Sequence, residues 1–596
     1  MEQEVITVLV ILGVTVLLLV LDIVRIDIVA IGCMLALGWS GILDTQEMFS
    51  GFSSNAVIAM LSVMILGNGI SRSGVMDKFS QFIIDKAGTR KRNLIGLLSA
   101  SVGLLSGLIQ NIGAAALFLP GIIQVSRKTK IPMSSLIMPI GYAAILGGAL
   151  TMVGSGHLIL VNDLLTNDGY DAYNLFSVTP IGVVLLISGI LYFLFLGDKV
   201  LPADEVENSG KSEQEKLIEK LSLPHAIKRV KIVAESPLVG QTIEEAGLEE
   251  QYNIHLLGVR TDKDVIFAPW RETELKEGQI LAILSTGENI EQFIEECKLQ
   301  DVSSSNYFYD DFKSEASGFA ELIIPPDSEL VGNTIRDYAF RKQHAAKPVV
   351  LVNKGERIEG DFSDKEIASG DTLIIYGRWK EIEHLKSSKN VILLTDVKFD
   401  DKDTSKTWLA IGCFVFAIAL AMFGFSISMA FLTGALLMVL TRVMNISQAY
   451  ESIEWRVVFM LAGLIPLGIA MQKTGAALFL AEKVMHVVID LPPIFMIIMV
   501  CVLSTLFSLF MTNVGAVVVL APLVIGMASI ADMDARPLVL MAALCAGNSF
   551  ILPTHQVNAF LMSSGGYRNA DYIRAGSGMT VIFLVITVSI FYFFII

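Results

Sequence analysis

Two long apolar stretches of the chain are each interrupted by a short polar motif of a kind that binds ions. Asn111-Ile-Gly-Ala is followed by Pro120, and Asn513-Val-Gly-Ala is followed by Pro522 at the same spacing. At bilayer depth, a broken helix is tolerated only where it is buried in protein or lines a cavity. The helix that restarts after a break presents free N–H groups to an anion, while carbonyl oxygens before the break suit a hard cation. We therefore expect both motifs to contribute to an ion-binding site.

A second pair of interruptions lies further along, at 147–157 and 548–558. The first is rich in glycine and ends at His157, and the second contains Pro553 and His555. Glycine and proline both disfavour an unbroken helix, and a polar residue inside an apolar span is costly and usually functional. Two interpretations stay open for the histidines: contact with a substrate or proton, or a hydrogen bond to a neighbouring carbonyl. Four breaks facing one another would define one site.

The elements that position these motifs occur in the same order in two halves, 1–198 and 406–596. Matching motifs recur at offsets of 399 to 402 residues, and several such matches in register indicate a true repeat. Each half is predicted to hold five spans and one broken stretch, which lies at about 93–125 in the first half and 491–527 in the second. The predicted spans are 5–21, 28–43, 55–70, 132–153 and 175–197, then 407–425, 428–444, 455–471, 537–552 and 576–596.

Composition and charge place these elements in a membrane. Apolar residues make up 53% of the chain and charged residues 17%, with a mean hydropathy of +0.62. Basic residues flank the first broken stretch, so it is predicted to enter and leave on the cytoplasmic side as a re-entrant hairpin. Five crossings per half then invert the second half and put both termini outside. We expect a multi-pass protein of the inner (plasma) membrane in a lipid bilayer. The net charge of −15 argues against a nucleic-acid partner.

A charged segment at 199–405 separates the halves, is predicted to be cytoplasmic, and contains its own repeat at an offset of 92 residues. Ser236-Pro-Leu-Val-Gly-Gln-Thr-Ile recurs as Ser328-Glu-Leu-Val-Gly-Asn-Thr-Ile, and each copy continues with β-branched runs between turns. Over about 231–296 and 320–386 the pattern resembles the TrkA carboxyl-terminal (RCK-C) domain, a small α+β fold. That resemblance implies dimerisation and binding of a regulatory nucleotide such as cyclic di-AMP. A purely structural role in pairing protomers is the alternative.

The membrane motifs resemble those of the divalent-anion/sodium symporter family, which carries dicarboxylates, citrate and sulfate. The resemblance rests on Ser106-x-x-x-Gln110-Asn111, on Ser508-x-x-x-Thr512-Asn513 and on Pro-Thr-His-Gln-Val-Asn at 553–558. It implies one sodium site at each hairpin and substrate contact at the breaks. The sodium ligands implied are Ser106, Gln110, Asn111 and Gly154, then Ser508, Thr512, Asn513 and Thr554. The predicted substrate contacts are Asn111, Gly113, Ser155, His157, Asn513, Gly515, Thr554 and His555.

This chain departs from the family at the hairpin tips. The usual Ser-Asn-Thr reads Gln110-Asn111-Ile112 in one half and Thr512-Asn513-Val514 in the other, so both threonines are replaced by apolar residues. The resemblance implies a homodimeric, sodium-coupled symporter of a small anion with elevator-type movement. Sodium/proton antiport and a ligand receptor without transport are the alternatives. An enzyme is not expected, because no set of nucleophile, base and metal ligands occurs.

Overall fold

The computed structural model describes residues 2–21, 23–75, 86, 88, 90–129, 131–202, 213–220, 223, 226–261, 265–303, 317–353, 356–358, 360–395, 404–486 and 491–595. The chain forms two compact units. One comprises Met1–Gly210 together with Lys402–Ile596, and the other comprises Lys211–Asp401. Much of the two junctions between the predicted halves and the insert, at 203–212 and 396–403, lies outside the described residues.

The first half of the membrane unit is helical throughout. Asp44 forms a capping box with Glu47 at the start of a short helix, and the Ser54 hydroxyl accepts the Val57 N–H at the start of the next. Such caps let successive apolar helices begin at defined residues. The helices are α1 (Glu2–Leu21), α2 (Ile26–Trp39), α3 (Thr45–Phe49), α4 (Asn55–Arg72), α5 (Lys91–Ser106), α6 (Asn111–Thr129), α7 (Ser134–Gly147), α8 (Gly156–Asn167) and α9 (Thr179–Val200).

The second half repeats this order after the insert. Asn445 forms a capping box with Gln448, as Asp44 does with Glu47 at the corresponding place of the first half. The same local device thus starts the same short helix twice. The helices of this half are α16 (Thr407–Met422), α17 (Ile427–Leu440), α18 (Ile446–Glu451), α19 (Trp455–Lys473), α20 (Ala476–Met485), α21 (Pro493–Phe510), α22 (Asn513–Ile530), α23 (Ala535–Ala546), α24 (Gln556–Gly565) and α25 (Asn569–Ile590).

Length and apolarity qualify seven helical segments of the described residues as membrane spans, and six further apolar helices are shorter. The shorter ones include α7 and α23, which lie where the spans 132–153 and 537–552 were predicted. α7 ends at Gly147 and α23 at Ala546, because the interruptions 147–157 and 548–558 stop both helices early. The polytopic helical class is confirmed.

The insert contains two antiparallel five-stranded sheets with the same topology. The first sheet has the strand order β3-β2-β4-β1-β5, and the second has β8-β7-β9-β6-β10 when read from the corresponding edge. The first copy holds β1 (Ala226–Lys231), α11 (Leu248–Tyr252), β2 (His255–Arg260), β3 (Val265–Phe267), β4 (Ile280–Ser285), α12 (Gly287–Glu296) and β5 (Gln300–Asp301). The second holds β6 (Ser317–Ile323), α13 (Ile335–Tyr338), α14 (Phe340–His344), β7 (Lys347–Asn353), β8 (Glu356–Ile358), β9 (Thr372–Arg378), α15 (Trp379–His384) and β10 (Ile392–Leu393), and α10 (Glu213–Lys220) precedes both copies.

Each copy has an apolar core of its own, and a third apolar cluster joins the two sheets. Strand residues at equivalent positions supply this shared cluster, such as Leu257 with Val349 and Leu284 with Tyr376. Both sheets extend beyond the predicted limits of 231–296 and 320–386, because the inner strands β1 and β6 begin before these limits and the edge strands β5 and β10 follow them. Two small inserted α+β domains are therefore present, and they pack against each other.

Candidate functional site

A small cavity in the membrane unit brings together side chains from all four breaks. It has a volume of about 10 Å³. Five of the predicted substrate contacts line it, together with apolar residues from α7, α23 and α25. The polar lining consists of Asn111, Ser155, His157, Asn513 and His555. The rest of the lining consists of apolar residues and one glycine, none of them predicted as site residues: Ile145, Leu146, Ala149, Leu544, Gly547, Phe550 and Phe583.

The tip of the first hairpin, between α5 and α6, is a cluster of oxygen atoms. Ser106 Oγ lies 2.8 Å from Asn111 Oδ1 and 2.6 Å from the Ala144 carbonyl oxygen. The Asn111 amide also donates to Ser155 Oγ at 3.3 Å. The Gly154 backbone is packed here too, since a Cβ atom on it would lie 3.1 Å from the Ser106 carbonyl oxygen. Ser106, Asn111 and Gly154, three predicted sodium ligands, are thus neighbours.

The tip of the second hairpin, between α21 and α22, is built differently. Asn513 Oδ1 accepts a hydrogen bond from Ser549 Oγ at 3.1 Å, and Ser549 Oγ also lies 3.5 Å from Ser508 Oγ. Ser549 comes soon after α23 ends, whereas Ser155 directly precedes α8. Sequence reasoning missed Ser549, although its place beside the break was a signal. It also missed Asn548, which is fully buried and donates to Thr505 Oγ1 at 3.3 Å.

The residue before each tip asparagine turns toward a methionine at an equivalent position of its own half. Gln110 Nε2 lies 4.0 Å from Met60 Sδ, and Thr512 Oγ1 lies 3.5 Å from Met460 Sδ. The Thr512 hydroxyl also accepts the Gly515 N–H at 3.1 Å and so caps α22. The side chains of Gln110 and Thr512, both predicted sodium ligands, are therefore held by contacts outside the oxygen cluster.

The three remaining predicted substrate contacts do not line the cavity. Thr554 is exposed in the second break, where it was predicted to contact both sodium and substrate. Gly113 lies beyond the tip in α6 with open space around it, and the Gly515 N–H already bonds the Thr512 hydroxyl. In this conformation the asparagines, histidines and serine form the cavity wall, and these three residues do not.

Glycines let the backbones around the first tip come very close. A Cβ atom on Gly147 would lie 2.1 Å from the Gly103 carbonyl oxygen, so α5 and α7 touch through their backbones. A Cβ atom on Gly148 would lie 2.2 Å from Ser155 Oγ and 2.6 Å from Asn111 Oδ1. Any side chain at Gly148 would therefore displace the groups that hold the tip.

A larger cavity, of about 140 Å³, lies between the two copies of the insert. Charged residues of both copies line it, among them Glu249 and Arg341, whose atoms Oε1 and Nη2 are 2.8 Å apart. The Lys347 ammonium also contacts Glu249. Burial opposes ionisation of Glu249, but Lys347 and Arg341 outweigh it and hold the pKa of this carboxyl well below its usual range. Burial, with the nearby Arg341 charge, lowers the pKa of Lys347 to about 7.

Comparison with known proteins identifies the family. The sequence profile of the citrate transporter family CitMHS matches residues 16–547 and again 496–596. The chain belongs to this family. It is 29% identical over 604 residues to the uncharacterized transporter YfbS of Escherichia coli (strain K12), covering 99% of this chain and 98% of that one. It is also 22% identical over 375 residues to sodium/sulfate cotransporter 2 of Chlamydomonas reinhardtii, covering 59% of this chain and 40% of that one.

Membership in the family makes the chain a multi-pass membrane transporter and confirms that it is not an enzyme. The resemblance seen in the hairpin motifs is thereby confirmed at the level of the family. Among solved structures, the crystal structure of the GsuK RCK domain aligns with 27% of this chain and 62% of its own, at 11% identity and a TM-score of 0.14. A TM-score this low carries no weight for the type of the inserted domains.

Proposed function

We propose that the chain is a secondary active transporter that carries a small anion together with sodium. One observation supports this most: equivalent asparagines and histidines of the two halves, Asn111 with Asn513 and His157 with His555, line a single cavity at the breaks. A site shared between inverted repeats can be exposed to either side of a membrane by moving one part against the other. The proposal follows the predicted sodium coupling and accords with the name of the sodium/sulfate cotransporter relative.

The lining of the cavity favours an anion as cargo. Among the described residues, Asn513 Nδ2 and both ring nitrogens of the buried His157 have no hydrogen-bond partner in the protein, although both residues line the cavity. An amide NH₂ and an imidazole N–H both donate to carboxylate or sulfate oxygens. No carboxylate is among the described lining residues. Sodium/proton antiport requires an ionisable residue at the site, and His157 and His555 are the candidates among the described lining residues.

The first hairpin tip favours sodium as the coupling ion. Ser106 Oγ lies within hydrogen-bond distance of Asn111 Oδ1 and of the Ala144 carbonyl oxygen, so three oxygen atoms are grouped at this tip. A cation would be held by these three oxygens. Side-chain and carbonyl oxygens are the ligands that hard cations prefer. Ser508, Asn513 and Ser549 would form the second site.

A cavity of about 10 Å³ has room for roughly one water molecule and is too small for sulfate or a dicarboxylate. The site must therefore enlarge during transport. We propose that this happens by elevator-type movement of the hairpins within a homodimer in the inner (plasma) membrane. The insert would lie in the cytoplasm and both ends of the chain would lie outside, as predicted.

The insert is proposed to regulate this movement. A ligand that binds between the two copies, in the cavity of about 140 Å³, would change how they pack and so bias the transport cycle. A regulatory nucleotide such as cyclic di-AMP is the predicted ligand. Thermal unfolding of the purified transporter with and without nucleotides tests this directly. If no nucleotide shifts the unfolding temperature, the insert would have only a structural role.

Uptake by purified protein in liposomes tests the transport proposal. An inward sodium gradient is expected to drive accumulation of sulfate, citrate or a dicarboxylate, and a gradient of potassium in its place is not. A pH-sensitive dye inside the same liposomes reports sodium/proton exchange. Proton exchange without anion uptake would overturn the proposal in favour of antiport. Binding of an anion with neither kind of flux would favour the receptor.

A further inference from the structure

The two copies of the insert carry opposite charges at equivalent positions. The repeat offset of 92 residues aligns Glu244 of the first copy with Arg336 of the second, and Glu249 with Arg341. The first copy is therefore acidic at two positions where the second copy is basic. The strand order is the same in both copies and equivalent strand residues supply the shared apolar cluster, so the copies pack through similar surfaces that differ in charge at these two positions.

Each aligned pair is in contact across the interface. Arg336 Nη1 lies 2.7 Å from Glu244 Oε1, and Arg341 Nη2 lies 2.8 Å from Glu249 Oε1. When a position touches its own equivalent, it lies close to the twofold axis that relates the copies. Two identical copies paired in this way would place glutamate against glutamate, or arginine against arginine.

Burial makes such a like-charged meeting costly at the inner pair. The side chains of Glu249 and Arg341 are each 17% exposed, and that of Lys347 is 1% exposed. Lys347 is the equivalent of His255, and both lie next to Glu249. Two second copies facing each other would bring two arginines and two buried lysines together and would lack Glu249, the carboxylate that contacts both in this interface. Like charges placed together at low exposure strongly disfavour a pairing.

The apolar part of the interface does not favour a first copy over a second copy as a partner. Leu257 and its equivalent Val349 are both apolar, as are Leu284 and Tyr376, so this surface accepts either copy as a partner. We propose that the two charge pairs determine the pairing: each first copy accepts only a second copy, the pairing is completed within one chain, and like-with-like contact between the inserts of two protomers is excluded. A homodimer of the transporter is then held together by other surfaces.

Charge reversal in the full-length protein tests this. Two variants make the charges uniform: E244R with E249R, and R336E with R341E. A third combines all four substitutions and restores opposite charges. We expect amide hydrogen exchange in β2 and β7 to become about tenfold faster or more in the two uniform variants and to return to wild-type rates in the fourfold variant. E291R with E295R, which reverses two exposed charges on α12, is the matched control and should leave exchange unchanged.

Crosslinking then distinguishes pairing within a chain from pairing between chains. The five native cysteines are buried, so a short bis-maleimide will react first with cysteines introduced at the interface. E244C with R336C is expected to crosslink within one chain, and either substitution alone is expected to give no crosslinked dimer. Wild-type exchange in the uniform variants, no recovery in the fourfold variant, or dimers from a single cysteine would each overturn the proposal.

Discussion

The chain contains two repeats, one in the membrane unit and one in the insert, and they differ in the residues that meet where the two copies come together. In the membrane unit like meets like, since Asn111 and Asn513 line one cavity, as do His157 and His555. In the insert, Glu244 and Glu249 meet Arg336 and Arg341. Amides and neutral imidazoles both donate and accept hydrogen bonds, so identical residues can share a ligand, whereas identical charges cannot touch. In the membrane unit the equivalent residues of the two halves are the same where they line one cavity, whereas in the insert the equivalent residues have diverged to opposite charges where the copies contact each other.

Replacing either tip asparagine is the strongest test of the membrane half of this comparison. We expect Asn111→Ala and Asn513→Ala each to lower sodium-driven anion uptake by roughly 100-fold or more, because a site built on hydrogen bonds loses both cargo and ion contacts. Uptake into liposomes measures the effect. Thr433→Ala is the control, since this exposed hydroxyl bonds only the Met429 carbonyl of its own helix. Wild-type uptake by one asparagine variant would show that the two halves are not functionally equivalent.

The glycine beside the first tip gives the next largest effect. Gly148→Ala would place a Cβ atom 2.2 Å from Ser155 Oγ. Overpacking of this kind costs about 1–3 kcal/mol, which corresponds to roughly a 5- to 150-fold loss of sodium affinity. The sodium concentration for half-maximal uptake measures it. Gly412→Ala in α16 is the matched control, because no atom lies within 4 Å of its Cβ position. Equal behaviour of the two variants would mean that the tip is not held as described.

The pH dependence of stability tests the charged contact between the two copies of the insert. The pKa of Lys347 is lowered from 10.5 to about 7 by burial, so the unfolded chain binds more protons than the folded insert between these two pH values. Stability therefore rises with pH in that window, by about 2 kcal/mol between pH 7 and pH 9. The free energy of opening of β7, from hydrogen exchange corrected for intrinsic rates, measures this. Lys347→Met should abolish the rise, and a rise that persists in it would place the titration elsewhere.

Removing either of the two serine hydroxyls that form hydrogen bonds with the tip asparagines is expected to give the smallest effect. Ser155→Ala and Ser549→Ala each remove one neutral hydrogen bond, which contributes about 1 kcal/mol, or roughly a fivefold change in affinity. We expect both to weaken half-maximal sodium activation to a similar extent. Ser188→Ala, whose hydroxyl bonds the Leu185 carbonyl of its own helix, is the control. A large difference between the two serines would mean that the two hairpins bind different partners.

The sequence predicted the four breaks and most of the polar cavity wall, because helix breakers and isolated polar residues are visible against an apolar background. Asn111, Asn513, His157 and His555 meet as expected from the repeat. Thr554 does not line the cavity, since in the second half the hydroxyl beside the tip comes from Ser549, on the other side of the break. Which side of a loop faces inward depends on tertiary packing, and spacing alone does not encode it.

In the insert, the offset of 92 predicted two copies and their fold but did not predict how they pair. The residues that meet at the interface are four charges scattered over two domains, such as Glu249 and Arg341. Solvated surface charges have the same appearance in a sequence. Their role becomes visible only when the two sheets are packed face to face and equivalent positions are found in contact.

The backbone contact between Gly103 and Gly147 has a mechanical consequence. Where two helices touch through their backbones, no side chains lie between them that could change rotamer to accommodate movement. One helix therefore cannot slide or rotate against the other without losing the contact. The Ser106 hydrogen bond to the Ala144 carbonyl ties the same two helices one turn further along. α5 and α7 therefore move together as one rigid body. Spin labels attached to these two helices should keep one separation distance throughout the transport cycle, whatever the rest of the protein does around them.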